Sequence, residues 1–235
     1  MGEPIVRMSM TDGYYANGAK AAIKRGMFSR FDRKELKHLG IAFAVLTFCF
    51  LSVIGGGLLG GGGLGIFYIP NFGIAVLAVF TGFVCHELGH KFMAQKFGYR
   101  ANFRMSISGL AIAIFASLFR LLVAAPGAVM VTSSWGVSKK QNGMMSLAGP
   151  AVNMAWCVFF LFAYFIIQLG DYPYLIELCY WGFLINTILA AFNLLPIKWL
   201  NLDGYKILAW DKKIYAGACV IAFAFILIFV GYLSG

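Results

Sequence analysis

The apolar positions of this chain do not recur with a period of 2 or 3.6. They fall in long, nearly unbroken runs at about 39–60, 70–97, 108–125, 144–169, 174–197 and 214–233. Runs of about 20 residues, apolar on every side, predict helices long enough to cross a bilayer. Two short stretches break this pattern. From Tyr99 to Ser108 polar residues stand at 100, 102, 104, 106 and 108, which predicts a strand, and Gly127 to Thr132, just beyond Pro126, supplies a partner for it. No motif returns at a fixed spacing, so internal repeats are not expected. The pattern predicts an α-helical polytopic membrane protein with five to six hydrophobic segments and a small β-hairpin or re-entrant element after the second.

Composition supports this. With 61% hydrophobic residues, 12% charged residues and a mean hydropathy of +0.81, the 235-residue chain has too little polar surface to cover a soluble globule. The first 38 residues carry eight Lys or Arg and no apolar stretch that would serve as a secretory signal. They are expected to form a basic tail on the cytoplasmic side of the cell membrane, in contact with anionic lipid headgroups, ahead of a single membrane-embedded domain at 39–235. This tail accounts for much of the net charge of +10, and nucleic-acid binding is the weaker reading of it. The five Cys are scattered through apolar runs without CxxC spacing and read as small packed hydrophobes.

Charge placement then orders the segments. If the first runs outward, the charge-free loop from Gly55 to Asn71 lies outside, and the second returns Lys91, Lys96, Arg100 and Arg104 to the inside. A membrane-crossing 108–125 would strand Lys139, Lys140, Lys198, Lys206, Lys212 and Lys213 outside and bury Arg120, so that segment is expected to be re-entrant or interfacial. The Gly-rich stretch from Gly55 to Gly65 is expected to be a flexible connector.

Within the second apolar run lies His86-Glu87-Leu88-Gly89-His90, an HExxH sequence. On a helix, residues at i and i+4 share a face, so both imidazoles can hold one metal ion while Glu87 reaches that ion's water. An unpaired carboxylate in an apolar segment is costly and usually functional, which favours a chemical role for Glu87. Catalytic zinc commonly takes three protein ligands and leaves one position open. Beyond the motif and the basic tail, the carboxylates are Asp171, Glu177, Asp203 and Asp211. Only Asp203 falls on the side of the two His without sitting in a lysine-rich turn, although Asp203-Gly204 reads equally well as a plain turn pair.

Three elements in order now carry a resemblance: Cys85-His86-Glu87-Leu88-Gly89-His90, then Leu147-Ala148-Gly149-Pro150-Ala151-Val152-Asn153, then Phe192-Asn193-Leu194-Leu195-Pro196 followed by Leu202-Asp203-Gly204. The chain resembles the site-2 protease family of intramembrane zinc metalloproteases, in its archaeal multi-pass form, over roughly residues 70 to 210. The resemblance implies a three-helix catalytic core and one Zn²⁺ per chain held by His86, His90 and Asp203. It further implies Glu87 as general base and Asn153 as a residue that holds the substrate backbone. Here two more residues separate Pro196 from Asp203 than is common in that family, and loops absorb such insertions at small entropic cost.

The expected activity is hydrolysis of peptide bonds in transmembrane or membrane-anchored proteins, as in regulated intramembrane proteolysis. Zinc activates a water and polarises the scissile carbonyl, and Glu87 carries the proton to the departing amine. An unwound substrate segment would add to the edge of the predicted sheet. Two other readings remain: a membrane zinc protease of another HExxH class with a Glu as third ligand, and a non-catalytic metal-binding protein or transporter.

Overall fold

A computed structural model describes residues 31–56, 68–121, 126–133 and 136–233. Much of the basic tail and the Gly-rich stretch at 57–67 lie outside these residues. Of the described residues, 76% are helical. In order the elements are α1 (Arg33–Ile54), α2 (Ile69–Lys96), β1 (Arg100–Met105), α3 (Ile107–Leu118), β2 (Gly127–Thr132), α4 (Lys139–Ile167), α5 (Pro173–Asn193), α6 (Asp203–Trp210) and α7 (Lys212–Ile228). Helices α1, α2, α4, α5 and α7, the last running on to Gly231, are long and apolar enough to cross a membrane.

Local chemistry moves their ends away from the edges of the apolar runs. Helix α1 begins six residues before its run because the Asp32 side chain accepts from Lys34 N and caps it, so Arg33 to His38 form its first turns. Ser138 and Gln141 form a reciprocal capping box that starts α4 at Lys139, and Pro173 opens α5 at a position where no amide hydrogen is needed. Within α2, Phe80–Val84 form a π-helical turn immediately before Cys85, the local irregularity that often accompanies a functional site.

Helix α3 has 12 residues, about 18 Å of helix, and falls well short of the roughly 30 Å hydrocarbon layer. It links two strands that pair antiparallel, Arg100 opposite Thr132 through Met105 opposite Gly127, so the chain leaves this hairpin and returns to it without crossing. The predicted strand from Tyr99 to Ser108 is shorter than expected because Ser106 caps α3 through Gly109 N.

The hairpin's two outer edges differ. On β1, Phe103 N donates to Glu35 Oε1 at 3.0 Å and Met105 N to His38 Nδ1 at 3.3 Å, so α1 covers that edge. Antiparallel alternation then turns the backbone N–H and C=O of Gly127, Val129 and Val131 away from β1, along the outer edge of β2.

Glu35 also binds Lys91 Nζ, and both side chains are 1% exposed. Lys91, expected among the cytoplasmic flanking charges, is therefore an interior residue. It directly follows His90, and its ammonium lies 4.0 Å from the centroid of the Phe31 ring. One buried ion pair thus ties α1 and β1 to the motif helix. Around it, Ala42, Cys49, Phe83 and Phe103 pack the α1, α2 and β1 side of the core, while Cys157, Phe160, Phe183 and Phe225 join α4, α5 and α7. All five Cys are free thiols, and Cys49, Cys157 and Cys179 are buried.

Candidate metal centre

Helix α2 presents His86 and His90 one turn apart on the face it turns toward α4 and α6. Their Nε2 atoms are 3.0 Å apart. Helix α6 begins at Asp203 and places Oδ2 at 3.1 Å from His90 Nε2 and 3.6 Å from His86 Nε2. Donors held 2.0–2.1 Å from one tetrahedral zinc ion are about 3.3 Å from one another. The three observed separations bracket that value, and among the described residues this is the group of His, Cys, Asp and Glu side chains gathered closely enough to share an ion.

Asp203-Gly204 is not a loop turn. The pair forms the first turn of α6, and Gly204 is required by close approach: a Cβ there would collide with the carbonyl of Leu194. Gly149 on α4 has a similar task at the imidazoles. A methyl on it would lie 2.6 Å from His86 Nε2 and closer still to His90 Nε2, filling the space between the donors.

Each imidazole is held from behind. His90 Nδ1 bonds the Met145 carbonyl at 2.7 Å, and His86 Nδ1 bonds Asn153 Oδ1. With both Nδ1 atoms engaged by oxygen acceptors, both Nε2 lone pairs face the centre, as a cation requires. Lys206 Nζ stands 4.0 Å from Asp203 Oδ1, on the oxygen that does not face the imidazoles.

Glu87 is buried, and its Oε2 has no hydrogen-bond partner among the described residues. It shares a cavity of about 370 Å³ with His86, His90 and Asp203. Leu46 and Phe50 of α1 and Gly127 and Val129 of β2 also line it, together with the polar Asn193, Asn201 and Lys206. Two imidazoles, one carboxylate, a gap that a single methyl would close and an unsatisfied carboxylate oxygen beside them are together a good fit to a divalent ion with an acid-base group next to it.

Asn153 does not line this cavity. It is fully buried, with its Oδ1 on His86 and its Nδ2 donating to Gly82 O and Asn186 Oδ1, each at 2.9 Å. Sequence reasoning assigns no site role to Met145, Gly149, Thr81, Asn186, Lys206 or Glu35. Asn186 had a readable signal, since an amide within an apolar spanning run seldom stands without a partner.

The fold and donor set define a helical membrane protein with a buried His-His-Asp group, built on an HExxH helix, that could hold a metal ion. Comparison with known proteins narrows this class. The chain is 34% identical over 193 residues to the Methanocaldococcus jannaschii protein named "Putative zinc metalloprotease MJ0611", an alignment covering 80% of this chain and 90% of that one. It belongs to that zinc metalloprotease family. A second M. jannaschii protein, "Zinc metalloprotease MJ0392", is 26% identical over 137 residues, 57% of this chain and 33% of the other. No family profile and no solved structure matches the chain.

Proposed function

We propose that this protein is an intramembrane-cleaving zinc endopeptidase of the site-2 protease type, acting on transmembrane or membrane-anchored proteins, with one Zn²⁺ per chain. The observation that carries this reading is the meeting of His86 Nε2, His90 Nε2 and Asp203 Oδ2 beside the buried Glu87, on a helix long and apolar enough to cross a bilayer.

In this reading His86, His90 and Asp203 are the ligands, and zinc bound by them supplies the Lewis acidity that polarises the scissile carbonyl and acidifies a water. Glu87, whose Oε2 has no competing donor among the described residues, would take a proton from the attacking water and deliver it to the departing amide nitrogen. The water oxygen first adds to the carbonyl carbon, and the C–N bond breaks when that tetrahedral adduct collapses with the proton on nitrogen, without an acyl-enzyme. Leu46, Phe50 and Val129 give part of the cavity an apolar lining, suited to an apolar substrate segment. The free edge of β2 receives an unwound stretch of substrate as an added strand, because Gly127 and Val129 turn their backbone groups outward at the cavity. Asn153 acts on the substrate indirectly, by orienting His86.

Orientation follows from the basic flanks. The amino terminus, Lys206, Lys212 and Lys213 lie on the cytoplasmic side of the cell membrane, and so does the metal centre. A Glu as third ligand is not favoured: Glu177 is exposed near the start of α5, outside the cluster.

The test uses the full chain purified in detergent, assayed for bound zinc and for cleavage of a transmembrane model peptide. One equivalent of zinc, with turnover that stops on chelation and returns with zinc, is expected. A zinc-loaded chain that leaves a panel of such peptides intact would overturn the peptidase reading.

A further inference from the structure

A line of buried polar groups runs from the π turn of α2 to the metal centre, and its hydrogen-bond directions can be followed group by group. The Thr81 hydroxyl donates back to the carbonyls of Leu77 and Ala78, so its oxygen is free to accept. Asn186 Nδ2 donates to it at 3.0 Å and to Gly182 O at 2.8 Å. Asn186 Oδ1 therefore faces Asn153 Nδ2, which also donates to Gly82 O, and this leaves Asn153 Oδ1 for His86 Nδ1. Thr81, Asn153 and Asn186 are all 0% exposed, so no water competes for these bonds.

The line has only one low-energy direction. Gly82 O and Gly182 O are backbone carbonyls and can only accept. Rotating Asn186 by half a turn would set oxygen against Gly182 O and nitrogen against Asn153 Nδ2, and rotating Asn153 would set its oxygen against both Gly82 O and Asn186 Oδ1. Buried mismatches of that kind are expensive because nothing else can satisfy the groups. With Asn153 Oδ1 fixed toward the ring, Nδ1 must carry the hydrogen and Nε2 must present its lone pair.

We propose that Thr81 and Asn186 are positioning residues for the metal centre: acting through Asn153, they hold His86 in the Nδ1–H tautomer and in the ring orientation that aims Nε2 at the ion. This rests on the reading of His86 as a zinc ligand. The two imidazoles are thus set by different means. His90 is set by one backbone carbonyl on the adjacent helix, and His86 by three side chains from three helical segments that meet only when α2, α4 and α5 are packed.

The experiment measures zinc affinity of the full chain in detergent by competition with a chromophoric chelator, alongside ¹⁵N-histidine NMR of the metal-free protein. Removing an outer partner of a ligating His typically weakens metal binding roughly 10- to 100-fold. Asn186→Leu is expected in that range and Thr81→Val in its lower part, with the His86 ring nitrogens losing the pure Nδ1–H pattern. Thr81→Ser keeps the accepting oxygen and is expected to bind zinc like the parent. If Asn186→Leu does not fold, the Thr81→Val and Thr81→Ser pair decides the matter. Parental zinc affinity and an unchanged His86 tautomer in Thr81→Val would overturn the proposal, as would equal losses in Thr81→Val and Thr81→Ser. Failure of the parent chain to bind zinc would instead overturn the function on which the proposal rests.

Discussion

Glu35 and Glu87 are both buried acids within reach of the same helix, and their surroundings are opposite. Each oxygen of Glu35 has a donor, Phe103 N on one and Lys91 Nζ on the other, whereas Oε2 of Glu87 has none among the described residues. Lys91 is one turn beyond Glu87, so the paired and the unpaired carboxylate regions adjoin along α2. A buried charge is costly unless paired and hydrogen-bonded. Where the fold meets that requirement in full, the group ties elements together. Where it leaves an oxygen unsatisfied beside three converging ligand atoms, the group is available for chemistry.

The contrast is broken most sharply by Glu87→Gln. Loss of a general base is expected to reduce peptide cleavage by about 10²- to 10⁴-fold, with zinc content unchanged and thermal stability equal or higher, because a buried carboxylate with an unsatisfied oxygen has been neutralised. A melting curve and a zinc assay on the same preparation check both halves. Lys91→Ala is expected to do the reverse. Leaving Glu35 charged and alone in the interior should cost about 3–5 kcal/mol of stability, read as a lower unfolding midpoint in detergent.

Combining Glu35→Gln with Lys91→Met sharpens the comparison further. The Gln oxygen still accepts from Phe103 N, and no charge is left unpaired, so stability should return to within about 1 kcal/mol of the parent. A double variant as unstable as Lys91→Ala would show that the pair does more than dock α1. The smallest effect is expected at the third-ligand position assigned by the competing protease class: Glu177→Ala should leave zinc content unchanged, while Asp203→Ala removes a ligand and should lower zinc content measured after dialysis.

Much of the fold was legible because transfer of backbone into lipid is so constrained that a long apolar run has essentially one outcome, a helix. The five helices long and apolar enough to cross a membrane lie on five of the six runs, and the sixth was set apart by its Arg120 and by the lysines beyond it. The ends were less legible. Asp32, Ser138 and Gly55 set them by capping, and hydropathy does not register a cap. The burial of Lys91 was not legible for a related reason. Charge near the end of a run reads as a solvated flank, and its partner Glu35 stood in a segment read as tail.

The sequence by itself determined that this chain lives in a membrane, that its second helix carries two imidazoles and a carboxylate on neighbouring positions, and that a short hairpin follows. Those properties are local: they depend on hydrophobic runs, helical spacing and strand alternation. Tertiary structure alone decided that Asp203 closes on the imidazoles, that Gly149 and Gly204 keep space for the approach, and that Thr81, Asn186 and Asn153 line up behind His86. Those depend on α2, α4, α5 and α6 meeting at distances of a few ångströms, and hydrogen-bond direction between segments remote in sequence exists only once those segments are packed.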